Sequence, residues 1–291
     1  MAFDTEVGQQ NLRSVFYDKM VKGFAERAYK FKQAVTISST SAWKNYFFRE
    51  NATELTGQSG NAIKGIARNA EFPQASVSWE RVQSVITKYG LEDNIPYEDL
   101  ISDEIDVRNR TVLRIASGVA KAVDDEIYAA LTENGTPTNI QSITIVGGYS
   151  WDSASAAIID NLEEAEQKIA EYNYPTSDLM VFVSPKDKRK IVTYLYEKGA
   201  QAPELATNAV NADNGVLGRL GNKTFIVSNS VTASQALVVV PKRCATWKEM
   251  VPLSTTTKED PYKSLTIRTV EMGVTQLTDV KAVVLIKGTQ A

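Results

Sequence analysis

Apolar residues recur at spacings of three and four along residues 102–131, at Val112, Ile115, Val119, Val123, Ile127 and Leu131, with Ala116, Ala120 and Ala130 in the same stripe. That period places them on one face of an α-helix. Ser102 and Asp103 are placed to cap its first turn, and Asp103, Glu104 and Asp106 complement its positive end. Asn134-Gly135 supplies a left-handed stop. The predicted helix is about 43 Å long at roughly 1.5 Å per residue. Its stripe is narrow and rich in alanine, and Gly118 sits inside it, a pattern that favours close packing along the rod.

The flanking segments follow other periods. Residues 9–31 form an amphipathic helix with Leu12, Phe16, Met20, Phe24, Ala28 and Phe31 on one side and Lys19, Lys22, Glu26, Arg27 and Lys30 around the rest. It is either a docking helix or an arm laid on a neighbouring subunit. Residues 35–49 and 75–89 are strand-like. Between them, residues 50–74 carry Gly57, Gly60 and Gly65, with Leu55, Ile63, Ile66 and Phe72 as the large apolar side chains. Residues 91–100 read as a turn and helix lead-in, with Pro96 turning Ile95 away from helix. Residues 140–146 alternate as a short strand.

From Trp151 the chain reads as α/β. A helix capped by Asp152 or Ser153 runs to about Tyr172 with Ile158, Leu162, Ala165 and Ile169 inward. A buried strand at 179–183 leads into a helix opened by Ser184-Pro185, with Ile191 and Leu195 inward and Tyr194 beside them. A polar loop spans 199–215. Strands follow at 224–227, 236–240, 246–253, 264–274 and 280–286, the last apolar without alternation, as in a strand covered on both faces. Residues 287–291 read as a polar tail.

Composition narrows the chemistry. Histidine is absent from the 291 residues, which removes Ser-His-Asp and Cys-His nucleophiles and His-bearing zinc motifs. Cys244 is the one cysteine, so no intrachain disulfide forms and an intracellular compartment is expected. The apolar runs at 236–240 and 282–286 are too short to span a membrane, and the N-terminus shows no signal peptide. Gly215, Gly218 and Gly221 do not have the G-x-G-x-x-G spacing, and they precede a strand, so they mark a tight turn. Ser41-Ala42-Trp43-Lys44 matches S-x-x-K, but the partner motifs of that chemistry are missing. Asp124, Asp125 and Glu126, like Asp103, Glu104 and Asp106, read as a solvated helix face, because consecutive helical residues point in different directions. Lys186, Lys188, Arg189 and Lys190 read as a solvated helix start. No catalytic, cofactor-binding or metal-ligating set emerges, and a structural role is expected.

The order of elements is informative. An arm helix precedes a long polar loop flanked by strands. An entry segment, LEDNIPYEDLISDEID, leads to a long helix ending in AVDDEIYAAL, and an inserted α/β segment and a final β-hairpin follow. This order resembles the major capsid protein of tailed double-stranded DNA viruses, the Hong Kong 97 type. Val123-Asp124-Asp125-Glu126-Ile127 is the closest local match. The stretch Gly218-Arg219-Leu220-Gly221-Asn222-Lys223-Thr224-Phe225-Ile226-Val227-Ser228 resembles the turn-then-strand entry to the family's later axial sheet.

The resemblance implies an α+β, Hong Kong 97-like fold. Residues 1–34 would be the N-terminal arm and 35–90 the extended β-hairpin loop with its flanking strands. A peripheral domain with the spine helix would take 91–150 and 262–291, and an inserted α/β axial domain 151–261. It further implies a structural protein, without cofactor or metal, that self-assembles through hexamers and pentamers into an icosahedral shell in the virion. The shell is made in the host cytoplasm and encloses double-stranded DNA. Portal, scaffolding and cement proteins are its candidate partners, and a membrane is not.

The chain opens directly on the arm, so a scaffold is expected to be separate or dispensable. Inter-subunit contact is expected at Ile63, Lys64, Ile66, Arg68 and Phe72 in the loop and at Phe16 and Phe24 in the arm. Lys64 is placed like the crosslinking lysine of some relatives, but no partner pair is found and no crosslink is expected. With a net charge of −3, the genome is expected to be held by enclosure more than by affinity. The alternatives are an encapsulin-type nanocompartment, whose cargo-docking pattern is not found here, and a His-free hydrolase or transferase.

The loop provides a test. Residues 50–74 bury too little to offset roughly 1–2 kcal/mol of backbone entropy per residue, and a two-stranded ribbon is marginal by itself. Replacing residues 56–72 with a short Gly-Ser turn is expected to leave the subunit's melting temperature nearly unchanged and to abolish shells, read by thermal melts and gradient sedimentation.

Overall fold

The computed structural model describes residues 5–50, 68–69, 71, 79–102, 107–133, 140–153, 155–199 and 216–290. In chain order it contains α1 (Thr5–Ala28), a 3-10 turn (Phe31–Gln33), β1 (Thr36–Ser39), β2 (Lys44–Glu50), β3 (Trp79–Val85), β4 (Thr87–Pro96), α2 (Tyr97–Ser102), α3 (Val107–Thr132) and β5 (Gln141–Thr144). Then come α4 (Ile158–Ala170), β6 (Leu179–Val183), α5 (Pro185–Gly199), β7 (Val216–Leu220), β8 (Lys223–Val227), β9 (Gln235–Val239), β10 (Ala245–Asp260), β11 (Ser264–Leu277), a second 3-10 turn (Val280–Ala282) and β12 (Val283–Lys287).

The apolar stripe of α3 buries Val112, Ile115, Ala116, Val119, Ala120, Val123, Ile127 and Leu131. It lies across a four-stranded sheet ordered β1-β10-β11-β4, against the face that carries Ile95 and Ile267. The long hairpin β10–β11 is closed where the Lys263 N–H donates to the Asp260 carbonyl at 3.1 Å, with Tyr262 at φ 60°. Gly273 is fixed by close approach: a Cβ there would lie 2.3 Å from the ring of the buried Trp247. At Gly118 a Cβ would lie 3.1 Å from the Leu91 side chain of β4, a milder constraint.

The second layer is a six-stranded sheet ordered β5-β12-β9-β6-β8-β7. The α4 face of Ile158, Leu162, Ala165 and Ile169 and the α5 residues Ile191 and Leu195 are buried in its core. Val283 to Ile286 of β12 are buried at every position, as the unalternating pattern required. Strands β2 and β3 form a separate antiparallel ribbon. One continuous apolar cluster runs from Tyr17 of α1 through α3 to Ile286 of β12, so both layers share a core.

Several expectations are corrected. Residues 91–96 are not a turn: β4 pairs with β11 as far as Pro96 opposite Ser264, and helix begins only at Tyr97. The helix expected at 102–131 is α3, described from Val107 to Thr132. Asp103, Glu104, Asp106, the Asn134-Gly135 stop and the loop at 200–215 lie outside the described residues. The expected final hairpin does not form. After β11, the Thr278 and Asp279 N–H groups bond the Cys244 carbonyl, and Asp279 caps the 3-10 turn by accepting from Lys281 N–H at 3.1 Å. This redirects β12 into the other sheet. Strands β5 and β12 belong to the six-stranded sheet, and β10 belongs to the sheet under α3.

Helix α4 starts at Ile158, later than expected, and Asp152 and Ser153 lie in the preceding turn. The tail is docked, not free. Thr289 is buried, its carbonyl accepts the Trp151 N–H at 2.9 Å, and Gln290 donates to Ser184 and Asp187 at 3.1 and 3.0 Å.

Val119 lies mid-stripe, 2 % exposed. Val119→Asp places a carboxyl there without a partner and is expected to cost on the order of 2–7 kcal/mol or to force protonation. Loss of the cooperative melt, or a midpoint lowered by tens of degrees in calorimetry, is the expected reading.

Candidate assembly surface

Helix α1 packs on α3 and β10. Its buried face is Tyr17, Val21 and Ala25, a register set by wedging between those two elements. The expected face is thus rotated: Phe16 is exposed, while Met20, Phe24 and Ala28 are half-buried at the core's edge. The chain leaves α1 through the turn at 30–32, and here a side chain assigned to solvent proves central. Asp124 of α3 is 2 % exposed, and its carboxylate accepts the backbone N–H groups of Lys30, Phe31 and Lys32 at 2.6, 3.1 and 3.2 Å.

The turn so held seats Phe31 against Phe182 of β6, with rings stacked at 4.1 Å and 19°, and beside Tyr128 at 5.4 Å. On its other side Lys32 reaches the fully buried Glu271 at 2.6 Å and Glu249 at 3.0 Å, and Tyr29 donates its hydroxyl to Glu271. The Lys32 ammonium also lies 4.7 Å from the centre of the Tyr29 ring. Loss of one partner from such a buried pair costs about 3–5 kcal/mol through the charge left behind.

Electrostatics agree with an anchoring role for these groups. Burial pushes the Asp124 carboxyl up to about 6 against the lowering effect of its three N–H donors. Burial and the neighbouring Glu271 push the Tyr29 hydroxyl far up, so it holds its proton. In the second layer Lys223 is 2 % exposed and bonds Glu163 at 2.7 Å and Glu166, while Asn222 donates to Glu166 at 2.7 Å. Burial would raise the Glu166 carboxyl, but the Lys223 and Asn222 bonds outweigh it and hold the group below its ordinary value.

A cleft of about 370 Å³ opens beside α1, lined by Lys22, Tyr29, Lys32, Gln33, Ile37, Pro252 and Leu253. Its two lysines are already paired, Lys22 with Asp18 at 2.7 Å and Lys32 as above. Ser41 and Lys44 of the S-x-x-K match are both exposed. Among the described residues there is no group of three His, Cys, Asp or Glu arranged to hold a metal ion, and no helix is long and apolar enough to cross a membrane.

The ribbon presents a different surface. Lys44, Tyr46 and Phe48 of β2 and Arg81, Gln83 and Val85 of β3 share one face, by the register Lys44–Val85, Tyr46–Gln83 and Phe48–Arg81. All six are exposed, and Trp43 at the ribbon's root is 50 % exposed. Arg81 stacks over the Tyr46 ring at 3.9 Å. Of the contact residues expected from sequence, Arg68 is exposed, and Ile63, Lys64, Ile66 and Phe72 lie outside the described residues. The ribbon aromatics were missed because residues 35–49 do not alternate cleanly as one strand; a break between β1 and β2 puts Tyr46 and Phe48 in register.

A family model described as phage capsid protein matches residues 79–286. Among solved structures, the capsid of Cyanophage P-SCSP1u is similar with a TM-score of 0.65 and 12 % identity over 90 % of this chain and 89 % of that one. Mycobacterium phage Che8 gives 0.64 and 14 % over 90 % and 92 %. A virus-like particle from Pyrococcus furiosus gives 0.64 and 9 % over 94 % and 99 %. No curated protein matches in sequence.

The Asp124 clamp has a pH signature. Its carboxyl is raised to about 6 from 3.8, so the folded chain binds a proton that the unfolded chain has released in that window. The contribution of Asp124 to stability is therefore greatest below its ordinary value and is lost as pH rises through about 6, at no more than ~1.4 kcal/mol per pH unit for one proton. Glu166, held below 4.5, acts oppositely: its contribution is present above that value and lost as pH falls. Urea midpoints of dispersed subunits are expected to rise from pH 7 to pH 5 and then to fall in stronger acid. In Asp124→Asn the rise between pH 7 and pH 5 should be absent.

Proposed function

The chain belongs to the phage capsid protein family, and from that membership we propose that it is the shell subunit of a virion, assembling as hexamers and pentamers around double-stranded DNA. It is a structural protein with the Hong Kong 97-type capsid fold. The observation that carries the assembly reading is the ribbon. Strands β2 and β3 expose Tyr46, Phe48 and Val85 on one face, beside the exposed Trp43. A two-stranded ribbon with an uncovered aromatic face is marginal in water, and a second copy of the chain supplies the cover. The expected contacts at Ile63, Lys64, Ile66, Arg68 and Phe72 would add to this interface, and Phe16, exposed on α1, offers a smaller one. Heterologous contact of this kind closes into rings, the basis of hexamers and pentamers. Portal, scaffolding and cement proteins are the partners such a shell would take.

A second reading, a nanocompartment enclosing protein cargo, is favoured by the likeness to the Pyrococcus furiosus virus-like particle. Particle contents separate the two: packaged duplex DNA supports the virion reading, and an enclosed enzyme supports the other.

Phe48→Glu adds a charge to an exposed position, so the subunit's melting temperature is expected to stay within a few degrees of wild type. Assembly should be lost, seen as subunits at the top of a sucrose gradient where wild type sediments as particles. A Phe48→Glu protein that still closes into shells would remove the ribbon from the contact.

A further inference from the structure

The outward face of α3 is charged in a way that the fold does not require. Arg110, Arg114 and Lys121 are exposed. At intervals of four and seven residues they fall within about 40° of one another around the helix, along roughly 16 Å of its length. None of them makes an ion pair or hydrogen bond among the described residues. Two other exposed cations, Arg243 and Arg268, are paired, with Asp279 and Glu92. The charges also run against the helix dipole. Arg108 and Arg110 occupy the positive end of α3, where a cation is disfavoured by a few tenths of a kcal/mol or more. Between the cations, the small exposed Ser117 keeps the surface low. No ring contact involves the stripe among the described residues, so it offers charge without a base-stacking platform.

We propose that Arg110, Arg114 and Lys121 form a rail for the phosphate backbone of duplex DNA on the genome-facing side of the subunit. The proposal rests on the shell reading above. A rail of three cations neutralises about three phosphates. Each subunit alone then binds weakly and without sequence preference, with charge as the whole of the interaction. Repetition of the rail over the shell supplies avidity that no single subunit has. The overall net charge of −3 leaves the remaining surface acidic, which orients the duplex toward this face.

The test uses the full-length chain, dispersed to subunits, with a short fluorescent duplex of random sequence followed by anisotropy at increasing salt. Wild type is expected to bind at low salt with a slope of log K against log salt of roughly −3, since each phosphate contributes about −0.9. Each of Arg110→Gln, Arg114→Gln and Lys121→Gln should reduce the slope by about one, and the triple variant should abolish binding while melting normally. The Lys186→Gln, Arg189→Gln pair on α5 should change nothing. Undetectable binding by wild type at low salt, or an unchanged slope in the triple variant, overturns the rail. So does loss of particles in the triple variant at unaltered DNA affinity, which would assign the stripe to an acidic face of a second copy. Wild type that binds as expected but never forms particles would instead sink the shell reading and leave the rail standing.

Discussion

One carboxylate holds the architecture to its entry segment. Asp124 gathers three successive backbone N–H groups that no helix or strand would otherwise satisfy. An amide or a hydroxyl at this point would offer fewer or weaker acceptors, and a hydrophobic residue none. The desolvation that raises the Asp124 carboxyl is the cost of this geometry. What it secures is the direction in which the chain leaves α1: Phe31 into the core between Tyr128 and Phe182, and Lys32 out toward Glu249 and Glu271. Two adjacent residues are thereby sent to opposite sides of one turn. The position of α1 on α3 and β10 follows from that turn as much as from the apolar contacts of Tyr17, Val21 and Ala25.

Residue periodicity made much of this legible. The α3 stripe, the inner face of α4 and the unalternating β12 were readable because each buries one face, or both faces, of a regular element against a single layer. Elements whose fate depends on distant partners were not. Residues 91–96 look like a turn until β11 is beside them. Residues 264–286 look like a hairpin until Asp279 caps the turn that sends β12 elsewhere. Asp124 shows the limit of local reading most clearly, since acids in series on a helix are ordinarily solvated. Its partners are main-chain groups about ninety residues away, which carry no side-chain signal. The arm face was misjudged for a related reason: α1 is flanked by α3 and β10 at an angle, so Tyr17 and Val21 outrank the larger Phe16. The basic rail was hidden by composition, because net charge averages three unpaired cations against acids located elsewhere.

The surfaces left over after folding divide by chemistry. The ribbon is aromatic and cationic on one face, suited to being covered by protein. The outward face of α3 is cationic and low, suited to a polyanion. The cleft beside α1 has its charges internally neutralised. Among the described residues, the buried acid Asp124 is committed to main-chain donors, Glu271 to Lys32 and Tyr29, and Asp187 to Ser184 and Gln290.

Phe31 has a mechanical meaning as well. A domain built from two sheets commonly carries a shear plane between them, along which the halves can slide. Here an aromatic side chain from a third segment is stacked across that plane and pinned from behind by Asp124, and the apolar cluster is unbroken on either side of it. The body of the subunit therefore behaves as a single rigid tile. When identical tiles must meet at more than one dihedral angle, as on any closed polyhedral surface, the compliance has to come from parts outside the tile. The thin β2–β3 ribbon, paired into neither main sheet and tied to β11 near its root where Gln276 donates to Ser84 at 2.6 Å, is where bending costs least.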